Sequence, residues 1–108
     1  FIKALEQKGE PAERAQAWYG MARIAMLEKK GSTAQQLFEK TLESSPDDFV
    51  RGWTDVQLGS IYRSQHDFAQ ATKYYNDALA VSGASDKAKE AAKSELNAIS
   101  QNQEKQTQ

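Results

Sequence analysis

A repeat at an interval of 37 positions constrains this 108-residue chain more than any other feature of its sequence. An aromatic residue, followed three positions later by a small residue and then by leucine, occurs at Phe1, Phe38 and Tyr75. A fixed period of about 20 to 50 residues indicates stacked copies of one structural unit. Because each copy buries its apolar face against its neighbour, we expect a core that continues along a stack.

The later complete copy has the pattern of two helices joined by a short turn. Leu58 and Tyr62 recur at helical spacing in its first half, and Ala71 and Tyr75 do so in its second half. Asp67 lies between the two sets and is suited to cap the second helix. The pattern therefore predicts a helical hairpin as the repeating unit.

Gly59 lies inside the first of these helices, where glycine costs about 1 kcal/mol relative to alanine. A residue without a side chain allows two helix backbones to approach closely, and the counterpart 37 positions earlier is Ala22, which is also small. We therefore expect both residues to be nearly inaccessible, each against the second helix of its own hairpin. A larger side chain at Gly59 should overpack this contact at a cost of about 1–3 kcal/mol.

These residues resemble the tetratricopeptide repeat. The resemblance rests on the pattern Leu58-Gly59-x-x-Tyr62, then Ala71-x-x-x-Tyr75, then Ala78-Leu79, with a looser earlier copy from Trp18 to Pro46. The family period is about 34 residues, and we assign the excess here to about one additional turn in each first helix. In this register the tryptophan that is usual in the family falls on Asp55 of the later copy.

The resemblance implies an all-α fold of stacked antiparallel helical hairpins, a right-handed superhelical α-solenoid with a C-terminal capping helix. The segments are the end of a preceding repeat, two whole repeats, the capping helix and a polar tail, at residues 1–10, 11–45, 46–82, 83–101 and 102–108. Helices are predicted near residues 11–30, 33–44, 47–64, 67–81 and 85–101, with no strand.

Local signals set the predicted helix ends. Pro11 and Pro46 each suit the first position of a helix. Gly31 suits the end of one helix, and Ser32 suits the cap of the next, with Gln35 as its capping partner.

Composition and motifs argue against several classes of function. The net charge is −1 and no basic face stands out, so we do not expect nucleic acid as a partner. The chain has no cysteine, and its one histidine, His66, lies in a predicted turn, which leaves no thiol chemistry and no set of zinc ligands. No nucleophile–base pair is present, and no apolar run approaches the ~18 residues of a membrane span. We therefore expect a protein that is not an enzyme and that needs no metal or cofactor.

Binding of a protein or peptide is the remaining function. Stacked hairpins curve, and the first helix of each repeat lines their concave face. The resemblance implies that this face contacts an extended peptide or a partner helix. The candidate contact residues, on a stripe separate from the packing residues, are Gln16, Tyr19, Arg23, Trp53, Val56, Ser60 and Arg63.

Each candidate anchor has a purely structural alternative. Trp53 can staple the start of its helix against the preceding helix, and Tyr19 can pack against Trp18 and an upstream repeat. Arg23 and Arg63 can be solvated or paired with nearby carboxylates.

Two other roles stay open for the chain as a whole. One is a C-terminal accessory domain of a larger enzyme or envelope protein, because the polar last helix and the incomplete first repeat favour a C-terminal location. Residues 53–68 also resemble repeat modules of bacterial envelope proteins, which implies the cell envelope or periplasm. The other is self-association, in which Phe1, Ile2 and Leu5 pair in a homodimer through the N-terminal end.

Overall fold

The computed structural model describes the backbone of residues 11–107 and the side chains of residues 11–101. That part of the chain contains the helices α1 (Pro11–Leu27), α2 (Gly31–Glu43), α3 (Asp48–Ser64), α4 (Phe68–Ala80) and α5 (Asp86–Thr107), and no strand. The all-α prediction is confirmed. The predicted remnant of a preceding repeat, residues 1–10, lies outside the described residues.

The helices form two hairpins and a closing helix. Short turns join α1 to α2 and α3 to α4, which makes the partners of each pair antiparallel neighbours. Between the hairpins α2 contacts α3, and α4 packs against α5. Contacts also run from α1 to α3 and from α3 to α5, so the first helices make one row and the second helices α2 and α4 lie behind it.

The 37-position repeat is visible in the backbone of the two turns. Lys29 and His66 both adopt the left-handed conformation with φ 62°. In both turns the next residue, Lys30 or Asp67, donates its amide to the carbonyl oxygen five positions earlier, at 2.9 Å. This hydrogen bond around a left-handed residue is a common way to end a helix.

The capping signals predicted for the start of α2 were wrong. Gly31 was expected to end a helix, but it is the first residue of α2, and Ser32 does not cap it. The left-handed residue that glycine was expected to supply is Lys29. Lys30 holds the capping position and forms no side-chain hydrogen bond to the helix.

The predicted start of α3 also differs from the observed one. Pro46 was expected at the first helical position, yet α3 begins at Asp48. The carboxylate of Asp47 accepts a hydrogen bond from the amide of Val50 at 2.9 Å, so Asp47 is the cap and Pro46 precedes it. At the other end of the chain α5 continues to Thr107, past the predicted end near residue 101, because no glycine or proline interrupts it.

Two apolar clusters share α3 and make the core continuous along the stack. The first cluster joins α1, α2 and α3 through Ala22, Ala25, Ala34, Phe38, Leu58 and Ile61. The second joins α3, α4 and α5 through Val56, Ala71, Tyr75, Ala78, Ala88, Ala92 and Ile99. Phe38 and Tyr75, the repeated aromatics, are both fully buried.

Gly59 is a close-approach residue, as its position predicted. A β-carbon built on it would lie 2.6 Å from Cε1 and 2.8 Å from Cδ1 of Tyr75 in α4, well inside contact distance. Ala22 is fully buried in the first hairpin. A β-carbon on Gly31 would meet no atom within 4 Å, so that glycine fills no packing role.

Candidate functional site

A groove runs along the row of first helices between α1 and α3. One pocket of about 290 Å³ is lined by Tyr19, Arg23, Phe49, Trp53 and Gln57. A second pocket, of about 200 Å³, is lined by Arg23, Met26, Leu27 and Gln57. Because the two share Arg23 and Gln57, they form one depression, which we call the α1–α3 groove.

Helical spacing brings the side chains of this groove together. Phe49, Trp53 and Gln57 are four positions apart on α3, and Tyr19 and Arg23 are four positions apart on α1, so each set occupies one helix face. The sequence prediction included Tyr19, Arg23 and Trp53 and missed Phe49 and Gln57. The four-residue spacing could have found both.

Comparison of the two repeats could not have identified these two residues. The counterparts of Phe49 and Gln57 at 37 positions earlier are Ala12 and Gly20, which carry no side chain suited to an interface. Phe49 and Gln57 therefore have no equivalent groove residue in the first repeat.

Tyr19 is held in place from two sides. Its ring centroid lies 5.9 Å from that of Phe38 on α2, tilted by 57°, and the Cζ atom of Arg23 lies 5.9 Å from the Tyr19 centroid. Burial raises the pKa of the Tyr19 phenol, and the nearby Arg23 charge opposes this more weakly. The phenol is therefore a neutral hydrogen-bond donor at the groove wall, packed on its own hairpin.

The opposite wall is aromatic. Trp53 is half-buried and packs against the cluster that α3 shares with α4 and α5. Phe49, one turn earlier on α3, is 54% exposed. Aromatic residues and arginine are the usual energetic anchors of protein interfaces.

Two other predicted contact residues lie elsewhere. Gln16 is exposed on α1 and lines neither pocket of the groove. Val56 is only 5% exposed and belongs to the core cluster with α4 and α5. Because α5 packs against that face of α3, Val56 is not accessible to a ligand.

Ser60 and Arg63 are engaged within the protein. Arg63 forms an ion pair with Glu95 of α5. The hydroxyl of Tyr75 lies 3.1 Å from Oγ of Ser60 and donates to Oε2 of Glu95 at 3.4 Å. These contacts tie α3 to α4 and α5, so the structural alternative for Arg63, pairing with a carboxylate, describes what is observed.

Other site chemistry is limited within the described residues. Among them no cluster of His, Cys, Asp or Glu is arranged to hold a metal ion. His66 is exposed in its turn, with its ring edge against Phe68 at 6.0 Å. None of the described helices has both the length and the apolar character needed to cross a membrane.

Comparison with known proteins gives a match at the level of a protein family. A family model for the tetratricopeptide repeat matches residues 13–95, a range that includes both hairpins except the first two residues of α1, the first part of α5 and the α1–α3 groove. No curated protein and no solved structure matches the chain.

Proposed function

The chain belongs to the tetratricopeptide repeat family, and we propose that it binds an extended or helical segment of a partner protein in the α1–α3 groove. Members of this family are generally protein–protein interaction modules, typically scaffolds without enzymatic activity. The observation that supports the groove as the site is the 54% exposure of Phe49 beside Tyr19 and Trp53.

The groove chemistry suggests what the segment carries. Its aromatic walls suit an apolar or aromatic side chain, and the exposed Arg23 suits a carboxylate. Gln57 can both donate and accept a hydrogen bond, which suits the backbone of a bound segment. Since Arg63 is held by Glu95, the preference for a carboxylate rests on Arg23, and salt should weaken binding only modestly.

The proposal is tested with a peptide selected from a random displayed library and measured by calorimetry. Phe49→Ala should weaken binding by about 2 kcal/mol, roughly 30-fold in Kd, if the ring is an anchor. Ile24→Ala is the matched control, because Ile24 is an equally exposed apolar residue, at 57%, outside the groove. It should leave the Kd unchanged, and both variants should fold normally.

Unchanged binding by Phe49→Ala would contradict the groove as the site. A loss of binding in Ile24→Ala would instead place the interface on the face of α1 that carries Ile24.

Self-association through that face is a second candidate function, and one comparison favours it. Ile61 is 4% exposed because it packs against α2 of the preceding hairpin, whereas its counterpart Ile24 is 57% exposed. A hairpin-like element or a second copy of the chain would cover Ile24 in the same way. Light scattering on the wild type and on Ile24→Asp tests this, since a dimer through this face should dissociate in the variant. The accessory-domain role and the envelope compartment stay predictions.

A further inference from the structure

The second hairpin carries a carboxylate where the first carries an indole. Trp18 and Asp55 are separated by the same 37 positions that relate the two hairpins throughout. Both are buried, at 5% and 4% exposure. A small charged side chain thus stands in the place of a large apolar one, which leaves space and a buried charge together.

An open pocket of about 520 Å³ lies at this position, beside α3 and the C-terminal end of α4. Its polar lining consists mainly of Asp48, Arg51, Asp55 and Asp77, and we call it the Asp55 pocket. Leu42, at the end of α2, contributes an apolar wall. None of these residues lines the α1–α3 groove.

The Asp55 carboxylate has no partner among the described residues. No hydrogen bond and no ion pair within 4 Å engages it there, although buried charges in proteins are normally paired. Its oxygen atoms are not sealed in the core, because no described side chain has a sealed polar atom without a hydrogen bond. They therefore face the pocket that Asp55 lines.

The charge balance around this pocket is negative. Asp48, Asp55 and Asp77 line it against the single Arg51. Residues 80–82 line it too, at the C-terminal end of α4, where unpaired helix carbonyls carry partial negative charge. Lys73 approaches from α4, but its ammonium group lies 3.8 Å from the carboxylate of Asp77. Arg51 and Lys73 therefore lie near Asp55, but neither forms an ion pair with it within the described part of the chain.

We propose that the Asp55 pocket binds an organic cation, an alkylammonium or guanidinium group of the kind that ends a lysine or arginine side chain. Such a group supplies several N–H donors to Asp55, and its alkyl stem can lie along Leu42 and the end of α4. A metal ion fits less well, since the described carboxylates do not form a metal-binding cluster. The site is separate from the groove, so either proposal can fail without the other.

Proton binding should compete with the cation. Burial raises the pKa of Asp55 to about 7, and Asp77 adds to this, while Arg51 and Lys73 oppose it. The carboxylate that attracts the cation is therefore mostly ionised at pH 8 and mostly protonated at pH 6. If the cation binds only the ionised form, its Kd should be about tenfold larger at pH 6 than at pH 8.

The test is an NMR titration of the ¹⁵N-labelled chain with acetyl-lysine amide and acetyl-arginine amide. Acetyl-norleucine amide is the neutral control of similar shape, and free butylamine separates a small amine from a peptide side chain. The expected result is saturable shifts of the backbone amides of residues 51–55 and 77–82 with the cations only. Tighter binding of the amino-acid amides than of butylamine indicates a peptide source, and equal binding indicates a free amine.

Two variants at one position complete the test. Asp55→Asn keeps the shape of the side chain. It should raise the Kd of the cation at least tenfold and abolish the pH dependence of binding. Asp55→Trp restores the residue of the first hairpin, fills the pocket and should abolish the shifts while the far-ultraviolet spectrum stays helical. Equal shifts with the neutral control, unchanged binding in Asp55→Asn, or no shifts at tens of millimolar cation at pH 8 would each overturn the proposal.

Discussion

The hairpins α1–α2 and α3–α4 have the same turn but differ in how each is packed and capped. Lys29 and His66 have identical φ angles, and the same hydrogen bond follows each. The side chains around this shared backbone are not equivalent, since Ala22 is replaced by Gly59 in the second hairpin. The repeat thus conserves the path of the chain and leaves individual contacts free to change.

The largest difference concerns the aromatic residue that faces the small one. Phe38 in the first hairpin ends in a plain ring, whereas Tyr75 carries a hydroxyl that contacts Ser60 and Glu95. Tyr75 lies so close to α3 that only glycine fits at position 59. The second hairpin therefore lacks the methyl group that Ala22 carries in the first. In its place it has a polar contact between Tyr75 and α5, the helix that closes the stack.

Substitution of Gly59 should show the largest effect. Gly59→Leu places a side chain where even a β-carbon would lie 2.6 Å from the Tyr75 ring, and the ring is fully buried and cannot move aside. We expect loss of the cooperative thermal transition. Gly31→Ala is the control, since its added methyl group meets no atom within 4 Å and should raise the helix stability slightly.

Equal melting temperatures for these two variants would mean that Gly59 does not set the distance between α3 and α4. Gly59→Ala sharpens the comparison, because it makes the second hairpin match Ala22 of the first. It should cost about 1–3 kcal/mol if Tyr75 has no room for the methyl group.

Much of this fold is predictable from sequence because the repeat carries the same information twice. The fixed interval identified the hairpin, and the small residues at 22 and 59 identified the inner faces. The helix starts at Gly31 and Asp48 were missed because the left-handed turn residue is Lys29 rather than glycine, and the cap is Asp47. At α3 one local signal, the capping carboxylate of Asp47, prevailed over another, the proline before it.

The candidate site was less predictable, since it depends on which face each neighbouring helix covers. Tyr19, Arg23 and Trp53 were identified, but Val56 is covered by α5 and Arg63 is paired with it. The pattern of residues did not indicate which face of α3 the helix α5 would cover. The only sequence signal for Phe49 and Gln57 was their four-residue spacing from Trp53. Their counterparts in the first repeat, Ala12 and Gly20, gave no second signal.

The second prediction concerns the free energy of unfolding, which should depend on pH because Asp55 titrates and its counterpart Trp18 does not. Because burial raises the pKa of Asp55 from 3.8 to about 7, the folded chain holds this proton more tightly than the unfolded chain. The stabilisation is complete below pH 4 and is lost as the pH rises towards and through 7, by on the order of a few kcal/mol after solvent screening from the open pocket is allowed for. Urea unfolding at pH 4.5 and pH 8 measures it.

Asp55→Asn is the control that isolates this group, because other titrating residues contribute equally to both proteins. The stability of the variant relative to the wild type should therefore increase from pH 4.5 to pH 8. A constant difference between the two proteins would show that Asp55 titrates as a solvated carboxylate.

The smallest effect concerns the caps of the two second helices. Lys30 and Asp67 have similar backbone angles, φ −100° and ψ 71° against φ −91° and ψ 78°, but only Asp67 caps its helix, accepting from the amide of Gln70 at 3.2 Å. Lys30→Asp should supply the missing cap and remove a positive charge from a helix start, a gain of about 0.5–1 kcal/mol in urea unfolding. Little is lost with the exposed Lys30–Glu28 pair at 3.8 Å. Asp67→Ala should lower the free energy of unfolding by a similar amount. If Asp67→Ala is destabilised but Lys30→Asp leaves the stability unchanged, the shared backbone does not make the two turns equivalent.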